Sequence, residues 1–163
     1  MSNQEAIKEA MRQSQNICKM YLDDLTDAEL LTRPVAGANH IAWQLGHLIK
    51  SEHRMISAVC PGSMPPLPTG FAEKHTNDTA ALDDPLAFYT KAQYLEVAEQ
   101  QRKATLAALD TRSEADFAVA APEALKRIAS TVLGIFAMQA THWTMHAGQW
   151  AITRRKLGRK PLF

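Results

Sequence analysis

Two of the six histidines, His142 and His146, stand four residues apart in Thr141-His142-Trp143-Thr144-Met145-His146-Ala147-Gly148-Gln149-Trp150. The stretch from Gly134 to Gly158 around them contains no proline. On a helix, residues four apart lie one turn apart along the axis and about 40° apart around it. Two imidazoles so placed can share one metal ion. The competing use is structural, with each ring satisfied by hydrogen bonds. From the pair alone the two uses weigh about equally.

The flanks favour the first use. At about 100° per residue, Ile135, Met138 and Met145 share the direction of His142. Val132, Phe136, Ala140, Trp143, Ala147 and Trp150 form an adjoining apolar stripe. A helix apolar over most of its circumference, as this one is until Arg154, is a central packed element, and its histidine face is expected to turn inward. Met138 and Met145 read as core rather than as soft ligands. Buried imidazoles need partners, and a metal ion is one.

A metal site with an open position needs three protein ligands. Among the other histidines His47 is the best placed, mid-helix in Trp43-Gln44-Leu45-Gly46-His47-Leu48. His40 stands near the start of that helix and is expected to be solvated. His53 points about 120° away from His47, and His75 lies in an irregular stretch. The free N–H groups of ligating imidazoles need acceptors; Gln44, Ser51, Gln139 and Gln149 are on suitable faces, while Trp43 and Trp143 read as packing. Gly46 weakens the helix beside His47 and predicts the close approach of another backbone. Arg54, on the stripe of His47, is a candidate cation for a charged ligand, although a salt bridge is its commoner use. Glu99 is a weak catalytic candidate, more often a structural partner of Arg102.

Four helices can carry these residues. Residues 2–24 repeat Ile7, Met11, Ser14, Cys18, Tyr21 and Leu25 at spacings of three and four. A second helix is expected from Asn39 as N-cap to about Cys60, ended by Pro61-Gly62. A third should start at Asp84-Pro85 and run to Leu109 on a stripe of Phe88, Ala92, Leu95, Leu106 and Leu109. A fourth should follow Ser130 or Thr131 and end at Gly158. The connection 61–83 carries Pro61, Pro65, Pro66, Pro68 and Gly70. It reads as a surface crossover; the alternative is a lid, with Phe71 or His75 reaching inward. Strand alternation is not sustained anywhere. The expected fold is all-α, one four-helix bundle over residues 1–163 with long crossover connections.

With 163 residues and a formal charge of +1, the chain suits one domain and lacks the basic footprint of a nucleic-acid binder. The basic cluster Arg154-Arg155-Lys156 with Arg159-Lys160 complements a helix C-terminus. Two cysteines, Cys18 and Cys60, are too few for a disulfide framework. No signal peptide is expected in the polar, amphipathic residues 1–24, and no apolar run reaches membrane-spanning length. A cytoplasmic protein with reduced thiols is expected, with no nucleic-acid or membrane partner.

Taken together, Trp43-Gln44-Leu45-Gly46-His47-Leu48, His142-xxx-His146-x-Gly148-Gln149 and Arg154-Arg155-x-Leu157-Gly158 resemble the DinB/YfiT-like superfamily. The resemblance covers nearly the whole chain in helix order. It implies a four-helix bundle and a divalent metal (zinc, nickel, manganese or iron) held by His47, His142 and His146. It also implies a homodimer acting on a small-molecule substrate. For activity it implies a thiol-dependent S-transferase using a low-molecular-weight thiol, or a metal-dependent hydrolase using water activated at the metal. A third reading is a non-catalytic dimeric metal-binding module.

Overall fold

The computed structural model describes residues 2–163, and among them four long helices carry the fold: α1 (Asn3–Leu22), α2 (Ile41–Val59), α3 (Lys91–Asp110) and α5 (Val132–Lys156). A five-residue helix, α4 (Glu114–Ala118), sits between α3 and α5. The described residues contain no strand; one isolated bridge joins Ala120 to Thr131. Among the described residues no helix is long and apolar enough to cross a membrane.

Each helix begins where a side chain meets its first free N–H groups. Ser2 and Glu5 form a capping box on α1, and Thr131 caps α5 through the Gly134 N–H. Asn39 does not cap α2: His40 does, its Nδ1 accepting from Trp43 N–H while its Nε2 faces the Leu82 carbonyl at 3.0 Å. His40 is thus fully buried rather than solvated. Asp84 and Pro85 do start a helical turn, Pro85–Ala87, but α3 itself begins later, behind a capping box of Thr90 and Gln93. Between the two, Phe88 turns onto the His40 ring.

In the bundle α5 packs along α1 and against α2, α3 packs on α2, and α1 barely meets α3. The apolar core lies around Leu45, Leu48, Tyr94 and Trp150 at one end and Met11, Met55, Leu109 and Phe136 at the other. The stripe expected on α3 holds at its end, where Leu109 is buried and Leu106 packs against the core, but is displaced along the rest of the helix. Leu95 is exposed and Phe88 lies outside the helix, whereas Tyr94, Val97, Gln101, Arg102 and Thr105 are buried. The reason is polar: Glu52 of α2 accepts from Arg102 Nη2 (2.8 Å), Thr105 Oγ1 (2.8 Å) and Trp143 Nε1 (3.0 Å) inside the bundle. Arg102 therefore does not pair with Glu99, which is exposed. Met145, expected in the core, is 52 % exposed. The basic C-terminal cluster is tied back to the start of the chain: Arg154 pairs with Asp24, and Arg159 with Asp24 and Glu29.

The stretch 61–83 is not a surface crossover. It folds into short turns that bury Phe71 and His75 completely. The His75 ring bonds the Phe71 carbonyl through Nδ1 and the Tyr94 hydroxyl through Nε2, each at 2.7 Å. It lies against Gly46, where a Cβ would fall 2.1 Å from ring atoms. The close approach expected at this glycine is therefore that of a side chain, not a backbone.

Candidate metal centre

His47, His142 and His146 meet in the seam between α2 and α5. Their potential ligand nitrogens all lie within 4.8 Å of one another. Nitrogens on a tetrahedral ion stand about 3.4 Å apart, so small side-chain rotations suffice to close on a metal. The His47–His142 planes are nearly perpendicular, and His146 is inclined to both.

Helix geometry supplies the arrangement. The four-residue spacing on α5 puts two rings one turn apart, 5.0 Å between centroids. α2 brings the third from the opposite side. Trp43, one turn before His47, stacks on its ring at 5.2 Å and 11° and restricts its rotation. Trp43 is held in turn by its Nε1, which donates to the Thr76 carbonyl. The stretch 61–83 thus braces His47 through Trp43, and Lys50 anchors the same stretch by donating to the His75 carbonyl.

One histidine has its protonation pattern set by a neighbour. Gln44 Nε2 donates to the Asn39 carbonyl at 2.6 Å, which orients the amide. Gln44 Oε1 then accepts from Trp150 Nε1 and faces His146 Nδ1, both at 2.9 Å. An amide oxygen cannot donate, so His146 Nδ1 carries the hydrogen and Nε2 presents its lone pair.

Burial keeps all three rings neutral. It pushes His142 and His146 down to about 4, with the neighbouring imidazoles adding to the shift. It also lowers His47, helped by the positive charges of Lys50 and Arg54. Neutral imidazoles are the form that binds a metal, and three of them do not by themselves choose among zinc, nickel, manganese and iron. The donor set therefore fits a divalent ion.

The other expected residues lie elsewhere or act otherwise. Gln44 meets a histidine, as its helix face allowed. Gln149 is exposed, and Gln139 donates to the Ile135 carbonyl of its own helix. His53 faces Gln101 at 3.1 Å, and Glu99 lies in a separate cleft between α1 and α3. Arg54 is exposed and forms no ion pair among the described residues. Sequence reading missed the Glu52 network and the socket for His75. The glycine at position 46 was the one available signal for the latter.

Comparison with known proteins agrees with this architecture. A family model described as the DinB superfamily matches residues 10–150. A crystal structure of a conserved protein from Enterococcus faecalis superposes with a TM-score of 0.72 at 18 % identity, over 98 % of this chain and 99 % of that one. No curated protein matches the chain in sequence.

Proposed function

The chain belongs to the DinB superfamily, and on that premise we propose that His47, His142 and His146 hold one divalent metal in an enzyme that transfers a low-molecular-weight thiol to a small electrophile. The observation that carries the reading is the convergence of three neutral imidazoles, one with its lone pair set by Gln44, within 4.8 Å. When bound, the ion supplies Lewis acidity that keeps a thiol deprotonated at neutral pH.

The chain's own residues do the rest. Gln44 and Trp43 fix two ligand rings before any ion arrives, which lowers the ordering cost of binding. Arg54, exposed and close enough to act on His47, offers a positive charge to a carboxylate-bearing thiol. That charge favours an anionic co-substrate and supports transfer over hydrolysis. No carboxylate belongs to the ligand group, and Glu52 is fully engaged with Arg102, Thr105 and Trp143. In the overall step the thiol proton passes to solvent, the sulfur pair forms the new C–S bond, and the electrophile's leaving group departs with its own pair.

The test is metal content of protein purified without a histidine tag, wild type beside His47→Ala and His142→Ala. About one metal per chain, lost in both variants, is expected. Cobalt-loaded wild type titrated with a carboxylate-bearing thiol should then develop a sulfur-to-metal charge-transfer band. A chain that takes up no zinc, nickel, manganese or cobalt refutes the metal reading; uptake without the band refutes the thiol.

A further inference from the structure

Polar ties hold α1 to α3 at the two ends of the pair. At one end Gln4 Nε2 donates to the Leu109 and Arg112 carbonyls, and Lys8 pairs with Asp110. At the other, Lys91 Nζ donates to the carbonyls of Leu22, Asp23 and Leu25. Between these ties lies a cleft of about 370 Å³, within the range of small-molecule pockets. Its apolar walls are Cys18 and Leu22 from α1, Leu95 and Ala98 from α3, and Trp143 from α5. None of them is a candidate metal ligand. The exposure of Leu95, anomalous for a bundle helix, is explained by its place on this wall.

The ties limit the occupant. The lining residues of α1 run from Gln15 to Asp23, about 12 Å of helix, and both ends are closed. A partner helix has no room to lie along the groove, whereas a small molecule does. The walls select an apolar body. Cys18 adds neither charge nor nucleophile: burial pushes its thiol up to about 12, and it donates to the Trp143 carbonyl.

Charge selects the polar end of that molecule. Of the charged lining residues, Arg102 is paired with Glu52 inside the bundle. Lys19, Asp23 and Glu99 form the exposed rim and make no ion pair among the described residues. Lys19 balances one of the two carboxylates and leaves one over. Lys91 does not meet it, because its ammonium is held by three carbonyls at the end of α1. A carboxylate entering the cleft would add to the excess; an ammonium group relieves it. We propose that the α1–α3 cleft binds a small apolar monoamine, its hydrocarbon body against Leu22, Leu95, Ala98 and Trp143 and its ammonium group at the rim that carries Asp23 and Glu99.

Cyclohexylmethylamine, its isostere cyclohexylmethanol and cyclohexanecarboxylate share one body and differ in charge; binding is read by calorimetry and ligand-observed NMR. The amine should bind about fivefold more tightly than the alcohol, the gain of an exposed ion pair, and the carboxylate should bind most weakly. Salt at about 1 M should remove the differences. Glu99→Gln combined with Asp23→Asn should bring the amine down to the level of the alcohol and leave the alcohol unchanged. Ala98→Leu narrows the cleft and should abolish binding of each compound. His142→Ala, which removes a candidate metal ligand, should leave amine binding unchanged, so this proposal and the metal reading fail separately. The proposal is overturned if the amine does not bind at millimolar concentration, if the alcohol binds as tightly, if the double variant keeps the preference, if Ala98→Leu binds like the wild type, or if binding is lost in His142→Ala.

Discussion

Gln44→Met tests whether a single amide prepares the metal centre. The substitution keeps much of the side-chain volume and removes one acceptor used twice, by His146 Nδ1 and Trp150 Nε1. Trp150 is fully buried and His146 is 8 % exposed, so water does not readily replace the lost oxygen. Each stranded donor costs about 1–3 kcal/mol. The Asn39 carbonyl also loses its side-chain partner, but it is only half-buried and regains water. The metal-free protein should therefore lose about 2–6 kcal/mol of unfolding free energy. Without an acceptor for Nδ1–H, His146 is no longer restricted to the tautomer that leaves Nε2 free. Removing such a partner typically weakens metal affinity about 10–100-fold, or about 1.4–2.8 kcal/mol. Urea unfolding of the metal-free protein measures the first quantity, and competition with a chromophoric chelator the second. Gln44→Glu retains an acceptor for His146 and should bind metal more tightly than Gln44→Met. Wild-type affinity in Gln44→Met would refute the assignment of the tautomer and of the ligand atom.

Gly46→Ala gains about 1 kcal/mol of helix propensity but drives a methyl into the His75 ring; overpacking and the lost Phe71 and Tyr94 bonds outweigh that gain, for a net loss of about 2–4 kcal/mol by urea unfolding. Metal-free protein should lose stability as pH falls from about 7 toward 4. His75, His142 and His146 are held near 4 when folded and return to ordinary values when unfolded, so the unfolded chain binds more protons in that window. Each contributes about 3 kcal/mol over the full window, and thermal melts that stay constant down to pH 5 would contradict this. Glu52→Ala strands the buried Arg102 charge and the Trp143 N–H, and should cost about 3–5 kcal/mol, more than Glu52→Gln, which keeps an acceptor; equal denaturation midpoints for the two would show that the charge pairing contributes nothing.

What could be read in advance was local. The pair His142–His146 and the Pro61-Gly62 stop of α2 are stated by spacing and by backbone chemistry, and His47 stands out among the other histidines by its place mid-helix, a choice the resemblance repeats. The displaced elements were decided by non-local partners. The stripe of α3 was misplaced because Gln101, Arg102 and Thr105 look like surface residues until α2 presents Glu52 to two of them, some fifty positions earlier in the chain. The start of α3 was misplaced because Asp84-Pro85 carries a genuine helix-start signal that serves only one turn before Phe88 packs on His40. His40 reads as a solvent-facing side chain in the sequence because an imidazole cap, closed by the Leu82 carbonyl, has no local signature to set it apart from the asparagine before it.

The socket at Gly46 ties the proposed metal centre to the stretch 71–79. His75 sits against the residue beside His47 and is tied to α3 through Tyr94, while Thr76, the next residue, accepts from the tryptophan that stacks on His47. Lifting residues 71–79 away would empty the notch, unbrace Trp43 and free the His47 ring in one motion. Entry and exit of a metal at the proposed centre should then depend on the opening of a segment that supplies none of the candidate ligands. Amide hydrogen exchange in 71–79 and metal off-rates should rise and fall together across variants of that segment.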